Sequence, residues 1–347
     1  MASRIALFNH KGGVSKTTTT FNLGWMLAER GSKVVLADAD PQCNLTGMVL
    51  GYRGASELEQ LYRKEPDRNI RAALSPAFES QPRAVGAVEC VEVEGCAGLY
   101  LLPGHVGLAE YEVTLGIAQE LSGSIQTLQN LPGSLPWVLD RTAEHYDAEF
   151  VLIDMSPGLG AINQNLFTTS DFFIVPTNPD FFSVMAIDSL STVIPRWQDW
   201  ARRAAENPVL QDAAYPFPKP QARFLGTVVQ KFRPRRGTPS AAFAQWIVEI
   251  QERIDTLLIP ALEQSGMLLD RELYGRCGLE ADFTLGVIAD FNSLIAASQT
   301  HQTPIYALSA EQIGKAGVVL EAAEQSRDEF RSAFEAMAEK VCCLIES

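Results

Sequence analysis

The alternation packed into the first forty residues constrains this chain more than any other feature. Residues 4–8 (RIALF) are a short apolar run closed by a glycine-containing turn, which reads as a buried strand. From Lys16 onward, Phe21, Gly24, Trp25 and Ala28 recur at helical spacing on one face, and Gly31 after Arg30 is a stop signal. Residues 33–40 (KVVLADAD) then form a second apolar strand ending in acids. Strand, glycine loop, helix and strand in that order make a βαβ unit, whose strands run parallel. Further apolar runs extend the sheet at residues 98–103 (GLYLLP), 150–154 (FVLID), 172–176 (FFIVP), 223–230 (RFLGTVVQ) and 284–288 (TLGVI). The expected fold is α/β, a mostly parallel twisted sheet flanked by helices on both faces. Helices are expected at residues 56–64 and 108–121. Thr238 is expected to cap another, with Pro239 at its first position. Ser309 with Gln312 forms a capping box that opens a last helix running to about Leu344, through Gly314 and Gly317.

The turn after the first strand carries the chemistry. It reads Asn9-His-Lys-Gly-Gly-Val-Ser-Lys-Thr-Thr and leads straight into a helix. A nucleotide's phosphates carry several negative charges and need many donors at short range. Gly12 and Gly13 lack Cβ, so the backbone N–H groups can curl inward, and the helix N-terminus adds its positive dipole end. Lys16 supplies a point charge for the β- and γ-phosphates, and the Thr17 hydroxyl is a Mg2+ ligand. The general pattern G-x-x-x-x-G-K-S/T is not met, because His10 and Ser15 stand at its two glycine positions. A Gly-Gly turn with chance lysines is the competing reading. It does not explain why strand, loop, helix and Thr17 coincide.

What is met is x-K-G-G-x-x-K-S/T. Here the sequence resembles the deviant Walker A ATPases, the ParA/MinD family of P-loop NTPases, whose usual form is KGGVGKTT. The resemblance implies ATP and Mg2+ as cofactors. It also implies that Lys11 reaches across a homodimer to the phosphates bound by the partner subunit, making Lys11, Lys16 and Asp40 the catalytic set. The ATP-binding residues would be Lys11, Gly12, Gly13, Val14, Ser15, Lys16, Thr17 and Thr18. Serine at position 15 is a departure, since it resists backbone angles that the family's glycine adopts freely. Residues 37–46 (ADADPQCNLT) match the family's D-x-D-P-Q motif, which implies that Asp40 positions or activates the attacking water. Residues 150–160 (FVLIDMSPGLG) match the Walker B strand and the switch beyond it, so Asp154 would hold Mg2+, directly or through water. Residues 173–187 resemble the segment near nucleotide and dimer face, and His301-Gln-Thr-Pro-Ile is like the S-H-G-K-P-I stretch of ParA proteins. The whole chain, residues 1–347, reads as one ParA-like domain enlarged at 196–222 and 237–280.

Charge bears on partners. The chain has 28 Lys and Arg against 42 Asp and Glu, a formal charge of −14, which opposes indiscriminate nucleic-acid binding. Yet no acid lies between Asp212 and Glu249, where Lys219, Arg223, Lys231, Arg233, Arg235 and Arg236 stand. Lys231-Phe-Arg-Pro-Arg-Arg-Gly resembles the basic loop with which ParA proteins bind duplex DNA without sequence preference, so Lys231, Arg233, Arg235 and Arg236 are the candidate DNA contacts. A second arginine-bearing stretch of many relatives, R-x-x-V-R, is matched by Asp290-Phe-Asn-Ser-Leu, which has no positive charge. A solvated loop with structural arginines stays open. Cys43, Cys90, Cys96, Cys277, Cys342 and Cys343 follow no metal-ligand spacing and read as reduced thiols. No cysteine lies near Asp154, so no iron–sulfur cluster is expected. The apolar runs are too short for a signal peptide or a membrane span, and the chain's last residues have few basic side chains for anionic lipid. The expected location is the cytoplasm, on the nucleoid if DNA is bound.

The implied function is an ATP-dependent dimerising ATPase acting in DNA partition or cargo positioning, with a protein partner that stimulates hydrolysis. Two alternatives stand beside it: a regulatory or positioning switch that binds a protein and not DNA, and a nucleotide-binding scaffold with negligible hydrolysis.

Overall fold

Strands apolar along their whole length must be covered on both faces, and this requirement organises the molecule. A computed structural model describes residues 2–346 except 52–53, 122–127, 233, 236–237, 240, 280–281 and 292–293. Its strands are β1 Ser3–Leu7, β2 Val34–Asp38, β3 Val91–Glu92, β4 Leu99–Leu102, β5 Phe150–Asp154, β6 Phe172–Thr177, β7 Arg223–Phe232, β8 Pro234–Arg235, β9 Thr238–Pro239 and β10 Thr284–Ala289. Eight of them form one sheet in the order β10-β7-β6-β1-β5-β2-β4-β3, parallel throughout except where β3 meets β4. Every residue of β2 and β5 is buried.

The α-helices are α1 Lys16–Glu29, α2 Asn44–Leu50, α3 Ala55–Lys64, α4 Ile70–Phe78, α5 Tyr111–Glu120, α6 Leu131–His145, α7 Ala161–Thr169, α8 Phe181–Glu206, α9 Pro208–Gln211, α10 Ala241–Arg253, α11 Ile259–Gln264, α12 Arg271–Arg276, α13 Leu294–His301, α14 Ala310–Ile313 and α15 Val318–Glu346. One layer contains α1 and α15, packed on each other, with α1 against β2 and β5 and α15 against β10. In the other, α5, α6, α7 and α8 pack in series. Aromatic rings join that layer to the sheet: Phe167 of α7 lies 5.3 Å from Phe8 and 4.7 Å from Phe173 of β6, and Trp197 of α8 lies 5.3 Å from Phe8.

The strand order sets the site. The chain moves from β1 outward to β2 and β4, returns through β5, and then crosses to β6 on the other side of β1. A crevice opens at such a reversal, outside the carboxyl ends of the strands. Leu7 is in register with Asp154, and Asp154 with Asp38, so β1, β5 and β2 end level at that crevice.

Four expectations need correction. The helix after the phosphate turn is buried all round from Thr19 to Ala28, not on one face, because α15 and the segment after α13 cover its outer side. Tyr306 even donates its hydroxyl to the Asn22 carbonyl at 2.7 Å. Thr238 and Pro239 do not open a helix: they pair with Arg235 and Pro234 as the returning arm of a small hairpin, and α10 starts at Ala241. The Ser309–Gln312 capping box is present, but the helix it opens ends at Ile313. Gly314 and Gly317 take φ values of 65° and 57°, so the chain breaks there and α15 begins afresh at Val318. Finally, Cys277 and Cys343 are not reduced thiols: they form a disulfide, their Cα atoms 5.7 Å apart. Their separation of 66 residues left no sequence signal, and only the tertiary structure brings them together. Among the described residues no helix is long and apolar enough to cross a membrane.

Candidate nucleotide-binding site

The loop between β1 and α1 is pinned from below before any ligand is considered. Asn9, fully buried, donates its Nδ2 to the Pro176 carbonyl at 2.8 Å and accepts from the Lys11 N–H at 2.9 Å. Asn178, just past β6, donates to the Gly13 carbonyl at 3.0 Å. Gly13 takes a φ of 75°. Ser15 follows with φ 58° and ψ 31°, so the serine adopts the left-handed conformation that its side chain resists, and the loop keeps its curl. The Ser15 carbonyl accepts from both the Thr19 N–H and the Thr19 hydroxyl, which start the helix.

The expected phosphate residues converge. Gly12, Gly13, Val14, Ser15, Lys16, Thr17 and Thr18 line one cleft of about 1090 Å³ together with Asp40. Its far walls come from Met48 of α2, Leu58 of α3, and Phe291, Ile295 and Gln299 around α13, none of which the sequence marked as lining it. Lys16 is folded back on the loop, its Nζ donating to the Asn9 carbonyl at 2.8 Å and the Lys11 carbonyl at 3.2 Å. Burial lowers its pKa, while the charges of Asp154 and Asp40 pull the other way.

Three carboxylates stand at the strand ends. Asp38 accepts from the Thr46 N–H at 2.8 Å and the Thr46 hydroxyl at 2.6 Å. Burial still pushes its carboxyl up to about 7, against those hydrogen bonds. Asp40 accepts from the Gln42 N–H at 2.9 Å and faces the cleft. Asp154 is buried, and neither of its oxygens has a partner of ordinary hydrogen-bond geometry, although the Thr17 hydroxyl lies near. Burial first, then the charge of Asp38, raises its pKa well above the carboxylate range, and Thr17 and Lys16 oppose the shift. A buried carboxylate with unfilled acceptor capacity, beside the Thr17 hydroxyl, suits a cation. No group of three or more His, Cys, Asp or Glu side chains among the described residues could hold a metal alone. One buried carboxylate with a nearby hydroxyl fits Mg2+ carried on phosphates, which takes one or two protein oxygens and completes its shell with phosphate and water.

Lys11 is placed differently from the other loop residues. Its Nζ lies 2.6 and 2.5 Å from the two oxygens of Asp180 and donates to the Ser183 hydroxyl at 3.0 Å, all within its own chain. Asp180 also caps α8, accepting from the Ser183 N–H. Arg233 and Arg236 lie outside the described residues, as do the side chains of Lys231, at the end of β7, and Arg235, in β8.

Residues 2–206, over half of the chain, match the family model AAA_31, an AAA domain. The chain belongs to the AAA_31 family, of the ParA/MinD type. Among its relatives, the chromosome partitioning protein ParA of Caulobacter vibrioides is 30% identical over 194 residues, 55% of this chain and 62% of that protein. The matched stretch spans 54–62% of the length of four curated relatives that the chain matches. In fold, this AAA_31 member is similar to protein DIP2308 of Corynebacterium diphtheriae (TM-score 0.64, 20% identity, 99% of each chain). It is also similar to pNOB8 ParA bound to nonspecific DNA (TM-score 0.54, 17% identity, 100% of this chain and 99% of that one). At these identities the two structures attest the fold of the AAA_31 member and no more.

Proposed function

We propose that this chain is a Mg2+-dependent ATPase of the ParA type, in which ATP joins two copies into a homodimer and hydrolysis separates them. The observation that carries the reading is one juxtaposition: Lys16, Thr17 and Asp40 line the cleft, and the buried Asp154 carboxylate lies within reach of Thr17 and Lys16. In this reading the loop N–H groups and Lys16 hold the β- and γ-phosphates, and Asp40 orders the attacking water. Thr17 and Asp154 would hold Mg2+, which neutralises phosphate charge when bound. Phosphoryl transfer needs positioning and charge neutralisation, so turnover should be slow until a stimulating protein partner completes the site.

Lys11 would leave Asp180 and contact the phosphates held by the partner subunit. DNA partition is the favoured use, because the chain's relatives include chromosome partitioning ParA proteins and its longest acid-free stretch, between Asp212 and Glu249, is basic. A protein-recruiting switch that ignores DNA is the second reading, favoured by the formal charge of −14 and by the uncharged stretch after Asp290. Two measurements test these readings. Phosphate release should be lost in Lys16→Ala and Asp40→Ala; normal hydrolysis by Asp40→Ala would remove its assigned role. Duplex-DNA binding, followed by anisotropy across a salt series, should require ATP; binding that is absent or indifferent to ATP would select the second reading.

A further inference from the structure

Glu112 stands in the first turn of α5. Its carboxylate reaches the start of α7, accepting from the Ala161 N–H through Oε1 and from the Ile162 N–H, at 3.3 Å, through Oε2. α7 has no cap of its own, because the residue before it is Gly160. The first N–H groups of a helix lack partners within it, and its dipole favours a carboxylate there. The contact continues along α5. A Cβ on Gly116 would lie 3.7 Å from the Ala161 Cβ, and Gln119 donates to the Ala161 carbonyl at 3.1 Å. Residues 112, 116 and 119 share one helical face, so α5 grips the first turn of α7 by its N–H groups and a carbonyl together.

That turn ends the loop 155–160, which starts at Asp154. Asn163, in the same turn, donates to the Ser156 carbonyl at 2.9 Å and the Gly158 carbonyl at 3.0 Å. Pro157 of this loop borders the cleft, and a Cβ on Gly12 would meet it at 3.9 Å. Where α7 begins therefore decides where Pro157 and Gly158 stand relative to the phosphate loop.

We infer that Glu112 is a positioning residue for hydrolysis: by capping α7 from a different helix, it sets the loop after Asp154 against the phosphate loop. The inference rests on the reading of the cleft as an ATPase site. It explains why position 160 carries no side chain, since a Cβ there would run into Glu112 Oε1. The φ of Gly160 is −78°, an angle any residue adopts, so space and not backbone geometry demands the glycine.

The test uses the full chain and three variants: Glu112→Ala, Glu112→Gln, and Gly160→Ala, which displaces Glu112 without altering it. Glu112→Ala and Gly160→Ala should slow single-turnover phosphate release about tenfold while leaving the affinity for a fluorescent ATP analogue within about twofold. Hydrogen exchange at the Ala161 and Ile162 amides should quicken in both. Glu112→Gln keeps one acceptor oxygen and should fall between them and the parent. Unchanged release, or release and affinity falling in step, would overturn the inference. If the parent protein itself releases no phosphate, the ATPase reading fails, and exchange at the two amides decides the cap alone: quickened exchange in Glu112→Ala supports it, and unchanged exchange removes it.

Discussion

Ser15 holds a left-handed backbone at φ 58°, where a Cβ is unfavourable and glycine is free of the penalty. Ser15→Gly should therefore raise unfolding stability by about 0.5–1 kcal/mol, and a loss on chemical denaturation would show that the serine contributes something its geometry does not reveal. Lys11 is held by Asp180 and Ser183 of its own chain. If Lys11 serves the partner subunit's nucleotide, this ion pair competes with dimer formation. Asp180→Asn should shift sedimentation toward the dimer at lower ATP, and an unchanged ATP dependence would remove the competition. The third residue-scale effect concerns pH. Burial moves the Asp38 carboxyl from the ordinary 3.8 to about 7, so over that interval the folded chain keeps a proton the unfolded chain has released. Stability must then fall as pH rises through the interval, and Asp154, raised by burial and by Asp38, acts in the same sense. The melting temperature of the nucleotide-free protein should fall between about pH 5.5 and 7.5, and Asp38→Asn should flatten that fall. Equal slopes in the two proteins would assign the dependence to other groups.

Among the elements, the glycine loop and α1 were legible because their signals are local: glycines, a lysine and a helix stop within a few residues. The boundaries of β5 came directly from a run of apolar residues ending in Asp154. Elements whose form depends on distant packing were not legible. Nothing near Thr238 announces a hairpin, since a threonine and proline before an apolar stripe are equally a helix start. The Cys277–Cys343 bridge joins the end of α12 to α15 and closes a long loop. Cys277→Ser should cost about 2–4 kcal/mol of stability, and addition of a reductant should lower the parent's melting temperature in the same way. Thiol titration of the denatured, unreduced protein gives the direct check: six reactive thiols in place of four would mean that the bridge does not form.

At the scale of the whole molecule, the proposed switch predicts a change in mass. ATP should convert the protein to a dimer that persists in Asp40→Ala and never forms in Lys16→Ala; a constant mass with ATP in the Asp40→Ala protein would end the dimer reading. The family was legible in the sequence alone, because its signature consists of particular residues at consecutive positions of one loop. The contacts of Asn9, Asp38, Asn163, Asp180 and Glu112 were decided only by the tertiary structure. Each acts through a partner on another element or across a turn: Asn9 on Pro176, Asp180 on Lys11, and Glu112 on Ala161, from 49 to 169 positions apart. Such pairs leave no pattern along the chain, since any polar residue at those places reads as an ordinary solvated one until the sheet order and the helix packing bring the two ends together.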